Sequence, residues 1–146
     1  MKHINGWFAI ALSLVCSCAM AGERPPSRYF AFISYAGAPK IDANEFIVEV
    51  ANPDVAAQFE DILRHRVMHP NIAFEGRVVP GRTIENAAWP YHLDPKSVKV
   101  GSTGALDECD STPENIEANL TDVGGRILPG GWWCPWSMHL SREVLR

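Results

Sequence analysis

The first candidates for chemistry are a histidine and an aspartate two residues apart, in the run His92-Leu93-Asp94. Alternate residues of a strand share a face, so the imidazole and the carboxylate are expected on the same side. This spacing suits a histidine oriented by an acid, or two ligands of one metal ion. A structural role explains the same residues, because a histidine at a strand end and an aspartate that opens an Asp-Pro turn are common and inert. We favour the structural role.

A second candidate is the acidic run Asp107-Glu108-Cys109-Asp110. In a strand, Glu108 and Asp110 would share one face, and paired carboxylates bind calcium or act as acid and base. The same charges suit a solvent-exposed strand end that leads into a helix, since negative charge is favoured near a helix N-terminus. The second interpretation is the simpler one, and we expect no metal ion here.

Three tryptophans surround one cysteine in Trp132-Trp133-Cys134-Pro135-Trp136. Indoles combine a large contact area with an N–H donor, which suits a binding surface. Tryptophans also pack against disulfides and fill the core of small domains, and we favour that interpretation. A thioredoxin-type site would need a second cysteine at position 136, so redox catalysis is not expected.

Cys109 and Cys134 are two of the four cysteines and lie in the body of the chain. In an oxidising compartment such a pair most often forms a disulfide. Closing a loop of about 25 residues contributes about 3 kcal/mol in the chain-entropy model. A nucleophile or zinc site would combine these cysteines with His92 and His139, but the spacings match no short ligand motif. We expect no cofactor, and the sequence contains no nucleophile elbow or phosphate loop.

The N-terminus predicts export. A short positive stretch, residues 1–3, precedes an apolar run from Trp7 to Val15, and Ala19-Met20-Ala21 supplies the small residues of a signal-peptidase site. We predict a signal peptide over residues 1–21, cleaved after Ala21, because a membrane anchor needs about 20 apolar residues. A lipoprotein anchored at Cys18 is the minor alternative. The mature protein is expected to be secreted or periplasmic.

Composition narrows the partners. Removing residues 1–21 leaves 125 residues, the size of one domain, and takes away one lysine, so the net charge moves from −4 to −5. Nucleic acids and anionic membranes are bound by clustered lysine and arginine, and neither is expected as a partner. No second apolar run has the length of a transmembrane segment.

The first half of the mature chain shows clear periodicity. Residues 22–44 are interpreted as an extended leader whose aromatic middle, Tyr29 to Tyr35, covers the core surface; an edge strand is the alternative. Alternation predicts a strand from Glu45 to Val50. Asn52 and Pro53 then begin a helix, and a second strand contains Gly76 at an inward-facing position and ends at Pro80.

The second half is less regular. Gly101 to Gly104 predicts a turn into a hairpin strand from Ala105 to Cys109. Ser111 and Glu114 have the spacing of a capping box, which predicts a second helix. The end of the chain, Met138 to Leu145, suits a strand or a short helix. Residues 45–146 are therefore expected to form one small α+β domain, with an antiparallel sheet, two helices and one disulfide.

Several short motifs occur in the order of a known family: Trp89-Pro90-Tyr91-His92-Leu93-Asp94-Pro95, Glu108-Cys109-Asp110, Leu128-Pro129-Gly130 and Trp133-Cys134-Pro135-Trp136-Ser137. The chain resembles, from Phe46 to about Val144, the small domains named after the N-terminal domain of a calmodulin-binding protein of a social amoeba. Many bacterial relatives are exported. Relatives usually carry Trp-Ser-Phe-His-Leu-Asp-Pro, from which Pro90 and Tyr91 depart.

The resemblance implies that the pairing of Cys109 with Cys134 is a family feature, and it implies no catalytic residues. Calmodulin binding is not expected, because the first predicted helix is acidic at its start and basic only over its last turn.

We expect an exported binding or interaction domain without catalysis, for an undefined protein or small-molecule ligand. Its candidate binding residues are His92, Asp94, Glu108, Asp110, Trp132, Trp133 and Trp136. Two alternatives stay open: a small metal-dependent or acid–base hydrolase using His92, Asp94 and Glu108, with His139 as a further candidate, or an inhibitor of an exported enzyme. A pocket that gathers His92 and the carboxylates favours the enzyme, an exposed patch of indoles the binding domain, and one rigid protruding loop the inhibitor.

Overall fold

The computed structural model describes residues 26–34, 45–65, 72–102 and 107–146. The predicted signal peptide, the leader residues 22–25 and 35–44, and the start of the predicted hairpin strand at Ala105 lie outside these ranges. The order of elements is β1 (Arg28–Ser34), β2 (Glu45–Val50), α1 (Pro53–His65), β3 (Ile72–Pro80), β4 (Tyr91–Leu93), β5 (Lys99–Ser102), α2 (Pro113–Ala118), β6 (Val123–Gly124), β7 (Ile127–Pro129), β8 (Trp132–Trp133) and β9 (Met138–Val144).

One sheet has the order β2-β1-β9, with both neighbours antiparallel to β1. The aromatic segment of the leader is therefore the central strand of this sheet, and the expectation of a cover or an edge strand was wrong. Phe30 and Phe32 are wholly buried and pack on Phe59 of α1, with ring centroids 5.2 and 5.5 Å apart. Burial of these rings explains why so aromatic a segment lies inside the fold.

The other sheet is built around β3, which pairs in turn with β5, β8 and β4. Gly76 allows the close approach of β4: a Cβ there would lie 2.9 Å from Leu93 Cδ1. The inward-facing glycine predicted from the sequence is thus confirmed.

Helix α1 begins as predicted. The side-chain oxygen of Asn52 accepts a hydrogen bond from the backbone N–H of Asp54 at 3.0 Å, and Pro53 is the first helical residue. Val55 and Phe59 are buried on the face that meets the sheet. Local capping and the apolar stripe therefore agree.

Helix α2 corrects two predictions. Its N-cap is Thr112, whose Oγ1 accepts from the backbone N–H of Asn115 at 3.2 Å, so the capping box at Ser111 was wrong by one residue. The carbonyl of Ser111 instead accepts the indole N–H of Trp133 at 2.9 Å. Residues Asp107–Cys109 form a 3-10 turn where a strand was expected.

The disulfide joins that turn to the end of β8. The Cα atoms of Cys109 and Cys134 are 5.2 Å apart, and the backbone N–H of Cys134 donates to the carbonyl of Cys109 at 2.8 Å. The C-terminal segment, open between strand and helix, is the strand β9. The predicted fold class, α+β with antiparallel sheets, two helices and one disulfide, is confirmed.

The core lies between the two sheets and α1, and aromatic rings fill its centre. Trp133 packs edge-on against Phe46 and Phe74, with centroids 5.0 Å apart in both pairs. Phe46 also stacks on Tyr91 at 5.4 Å. Among the residues described, no helix is long and apolar enough to cross a membrane.

Candidate functional site

His92 and Asp94 both make local contacts. His92 faces outward from β4, and its Nδ1 lies 2.9 Å from the carbonyl oxygen of Gly81. The carboxylate of Asp94 accepts the backbone N–H of Lys96 at 3.0 Å, and its carbonyl accepts the hydroxyl of Ser97 at 2.7 Å. These contacts are those of a strand end and an Asx turn.

His92 also opens on a narrow cleft that it shares with Tyr29, Glu49 and Glu85. The cleft has room for about one water molecule. The Glu85 carboxylate is paired with Arg146, and Glu49 is hydrogen-bonded to Tyr29. Neither Asp94 nor Glu108 lines this cleft, so the residues of the hydrolase hypothesis are not brought together there.

The three tryptophans point to different surroundings. Trp133 is wholly buried in the core, whereas its neighbour Trp132 is half-buried on the opposite face of β8. Trp136 is 36% exposed, and its backbone N–H donates to Asp110 Oδ1 at 2.9 Å. The segment is therefore part core and part surface, and the indoles do not form one patch.

Glu108 and Asp110 lie along one groove of about 350 Å³. Both carboxylates are exposed to solvent. The remaining lining is Ser111, Asn115, Arg126, Ile127, Leu128 and Pro129. Carboxylate, hydroxyl, amide and guanidinium groups thus surround an apolar floor.

Covalent and backbone constraints hold the walls of this groove. The disulfide fixes the turn that carries Glu108, and Arg126 is paired with Asp122 at 2.5 Å. Leu128 is buried with a backbone φ of +47°, and its carbonyl accepts the N–H of Gly131 at 2.7 Å. A non-glycine residue in the left-handed region costs free energy, and such strain collects at functional sites.

A second surface lies on the outer face of the β3 sheet. The register pairs Arg77 with Trp132 and Glu75 with Lys99. The guanidinium of Arg77 lies 5.4 Å and the ammonium of Lys99 5.1 Å from the indole ring of Trp132. We call Arg77, Lys99 and Trp132 the cation–indole cluster.

The loop between β3 and β4 is braced internally. Gly81 donates its N–H to the carbonyl of Pro90 at 2.8 Å, and Arg82 donates to the carbonyl of Ala87 at 2.5 Å. The side chain of Asn86 bonds both backbone groups of Ile47. Ile84, at the bend of this loop, is 91% exposed.

Burial changes the protonation chemistry of two side chains. It raises the pKa of Tyr91, whose hydroxyl donates to the carbonyl of Pro113 at 3.2 Å, so this tyrosine stays neutral. Burial also lowers the pKa of His139, which lies in β9 opposite Ile33 and lines neither the groove nor the His92 cleft.

Sequence reasoning missed Arg77, Lys99, Arg126 and Ile84. Alternation along β3 places Arg77 on the face opposite to Phe74 and Val78, so its outward direction was readable. Its proximity to Lys99 and Trp132 was not, because that depends on the pairing of three strands. The groove residues come from separate turns and share no sequence pattern.

Fold and site define a small disulfide-bridged α+β domain with two solvent-facing candidate surfaces. Comparison with protein families gives a match over residues 26–146 to the N-terminal domain of the calmodulin-binding protein after which the family is named. The chain belongs to this family, which confirms the resemblance seen in its motifs. No curated protein and no solved structure matches the chain.

Proposed function

We propose that the chain is an exported, non-catalytic binding domain whose ligand occupies the groove beside the disulfide. One observation carries the proposal: a groove of about 350 Å³ combines an apolar floor with a few polar groups on constrained walls. Ligand clefts commonly have volumes of about 300–1,000 Å³ and this kind of lining.

The charges in the groove favour a ligand with a positive group. Glu108 and Asp110 contribute two carboxylates, whereas the one guanidinium, of Arg126, is already paired with Asp122. A lysine or arginine side chain of a peptide would pair with the carboxylates while its backbone contacts Ser111 and Asn115. The ligand class we propose is therefore a basic peptide segment.

Three amidated hexapeptides that differ only in a central lysine, glutamine or glutamate test this directly. Titration followed by ¹⁵N-edited NMR should show the lysine peptide shifting the signals of Leu128 and Ser111, with weaker or no shifts for the others. The double variant Glu108→Gln/Asp110→Asn should bind at least tenfold more weakly. Both charges are then gone, while the amide oxygen introduced at position 110 still accepts the backbone N–H of Trp136.

The matched control is Asp61→Asn, which removes an exposed carboxylate of α1 away from the groove. It should bind the lysine peptide like the parent chain. Equal binding by the groove variant and the parent, or groove shifts with none of the three peptides, contradicts the proposal.

Export is a separate part of the proposal. The predicted signal peptide supports it, as does the disulfide, which persists in oxidising compartments. Intact mass of the protein recovered from its native compartment should correspond to a chain that begins at Gly22 and lacks the two thiol hydrogens. A protein that keeps residues 1–21, or a lipid on Cys18, overturns cleavage after Ala21.

A second candidate function is inhibition of an exported enzyme. It is favoured by the braced loop that presents Ile84 to solvent, since a rigid loop loses little entropy when its exposed side chain enters a partner's pocket. Residual-activity assays against exported hydrolases should show inhibition that is lost in Ile84→Ala and kept in Glu108→Gln. Inhibition that survives Ile84→Ala excludes this loop as the inhibitory element.

A further inference from the structure

We infer that the cation–indole cluster of Arg77, Trp132 and Lys99 is a second binding site, which takes the anionic groups of an acidic polysaccharide. It shares no residue with the groove. The inference rests on the proposed export of the domain but not on a ligand in the groove.

The strand register places the cluster on an open sheet face. Arg77 and Trp132 are directly opposite in β3 and β8, and Lys99 comes from β5 on the same side as Arg77. Phe74 and Val78 point the other way, into the core. Arg77 and Lys99 are both exposed, and Trp132 is half-buried between them.

The partners of the other arginines make Arg77 unusual. Within the described ranges, every other arginine gives its guanidinium to an oxygen, as Arg28 does to Glu143 and Arg142 to Glu45. The side-chain contact shown for Arg77 is the indole of Trp132. Glu75 is opposite Lys99 in the register, yet no ion pair of 4.0 Å or less joins them among the described residues.

Two cations next to one indole repel each other, in a chain whose net charge is −4. The ring face compensates part of that repulsion by about 0.5–1 kcal/mol per exposed cation–π contact. An anion between the two cations would relieve the rest, and charge-assisted hydrogen bonds to it are strong. The cluster is thus arranged for a carboxylate or a sulfate.

The shape of the surface selects the kind of ligand. Because the cluster lies on an open face and not in one of the two clefts described above, a single small ion would be left largely in water. A linear polyanion places successive charges along the strands and offers sugar rings to the exposed part of Trp132. His92 continues the same face, since it is opposite Val79 in the register. Uronate and sulfate polymers share this chemistry.

Binding of polygalacturonate, heparin and neutral dextran at 50 and 300 mM salt tests the site, with each affinity measured by calorimetry on the mature domain. We expect both polyanions, and not dextran, to bind at 50 mM salt; comparison of the two shows whether carboxylate or sulfate is preferred. Arg77→Gln/Lys99→Gln should weaken binding at least tenfold and reduce the salt dependence by a slope of about 2, one for each lost cation contact.

Trp132→Leu leaves the charge unchanged and should still weaken binding several-fold, because the cations lose their shared ring. Arg64→Gln is the matched control, since it removes an exposed cation of α1, and it should bind like the parent chain. Near-UV circular dichroism of each variant checks that the domain is folded.

Three results overturn the inference: equal affinity of the double variant and the parent, equal retention of dextran and the polyanions, or tighter binding of single-stranded DNA than of either polysaccharide. The groove variant Glu108→Gln/Asp110→Asn should bind polyanions at least as well as the parent. Failure of this site and failure of the peptide groove are therefore separable.

Discussion

At the scale of single residues, Asn86 is the buried polar side chain among the described residues, at 3% exposure. Its amide accepts the backbone N–H of Ile47 at 2.7 Å and donates to the carbonyl of the same residue, as a neighbouring strand would. Trp89 donates its indole N–H to the carbonyl of Glu45 at 3.2 Å. The two side chains thereby cover an edge of β2 that would otherwise pair with another chain.

Asn86→Ala is expected to lower the free energy of unfolding by about 2–3 kcal/mol, since it leaves two buried backbone groups of Ile47 without partners. Urea denaturation followed by tryptophan fluorescence measures the loss. Asn115→Ala, whose side chain bonds only at the surface, should cost less than about 1 kcal/mol by the same reasoning. Equal losses in the two variants would show that Asn86 does not support the strand edge.

At the scale of elements, the disulfide connects the turn at residues 107–109 to the end of β8, and β8 continues into the core through Trp133. Reduction should therefore release the turn that carries Glu108 while the aromatic core stays packed. The groove depends on the disulfide more than the fold does.

Cys109→Ser/Cys134→Ser is expected to lose about 3 kcal/mol of stability, the value for a loop of about 25 residues. Thermal unfolding of the parent with and without reductant should show the same loss. The variant should keep the near-UV signal of the buried rings at 10 °C. A reductant that leaves the melting temperature of the parent unchanged would contradict the predicted stabilisation.

Arg28 ties three elements together. Its guanidinium forms two hydrogen bonds of 2.7 Å to Glu143 in β9 and one of 3.0 Å to Glu60 in α1. The hydrogen bond from Arg28, with a further contribution from Arg64, holds the pKa of Glu60 below its ordinary value of 4.5. Because the folded-state pKa is depressed, this contribution to stability is complete above pH 4.5 and is lost as the pH falls through the folded-state pKa.

The parent chain should thus be more stable than Glu60→Gln at pH 6, and the difference should shrink towards zero as the pH falls to 3. Urea denaturation across that pH range measures it, with Glu117→Gln, an exposed carboxylate of α2, as the control. A difference between parent and Glu60→Gln that does not change with pH excludes the ion pair as its source.

At the scale of the whole molecule, the fold depends on strands that are far apart in the chain. The strand β1 lies between β2 and β9, so the beginning and the end of the described chain meet in one sheet. Phe30 and Phe32 supply two wholly buried rings to the shared core. The segment interpreted as a leader is consequently required for the domain to close.

A chain that begins at Pro26 should fold with the same melting temperature as one that begins at Gly22. A chain that begins at Glu45 should show no cooperative unfolding, because loss of a buried phenylalanine alone costs about 3–5 kcal/mol and a domain has about 5–15 kcal/mol in total. Circular dichroism of the purified chains decides between the outcomes. Native near-UV bands from the shorter chain would show that β1 is dispensable.

Local sequence determined the parts of the molecule that local physics controls. Asn52 and Pro53 defined the start of α1, alternation defined β2, and Gly76 marked the position where two strands meet closely. The cysteine pair and the order of the motifs predicted the disulfide and the family. Capping, alternation and cysteine pairing act over short distances or through few partners, so they can be read without a structure.

Only the tertiary structure decided which elements are central and which side chains meet. The position of β1 depends on its pairing with β9, more than a hundred residues away, and the partition of Trp132, Trp133 and Trp136 depends on the packing around β8. The groove and the cation–indole cluster each combine residues from separate turns and strands. Their proximity is a consequence of sheet register and core packing, which depend on the whole chain at once.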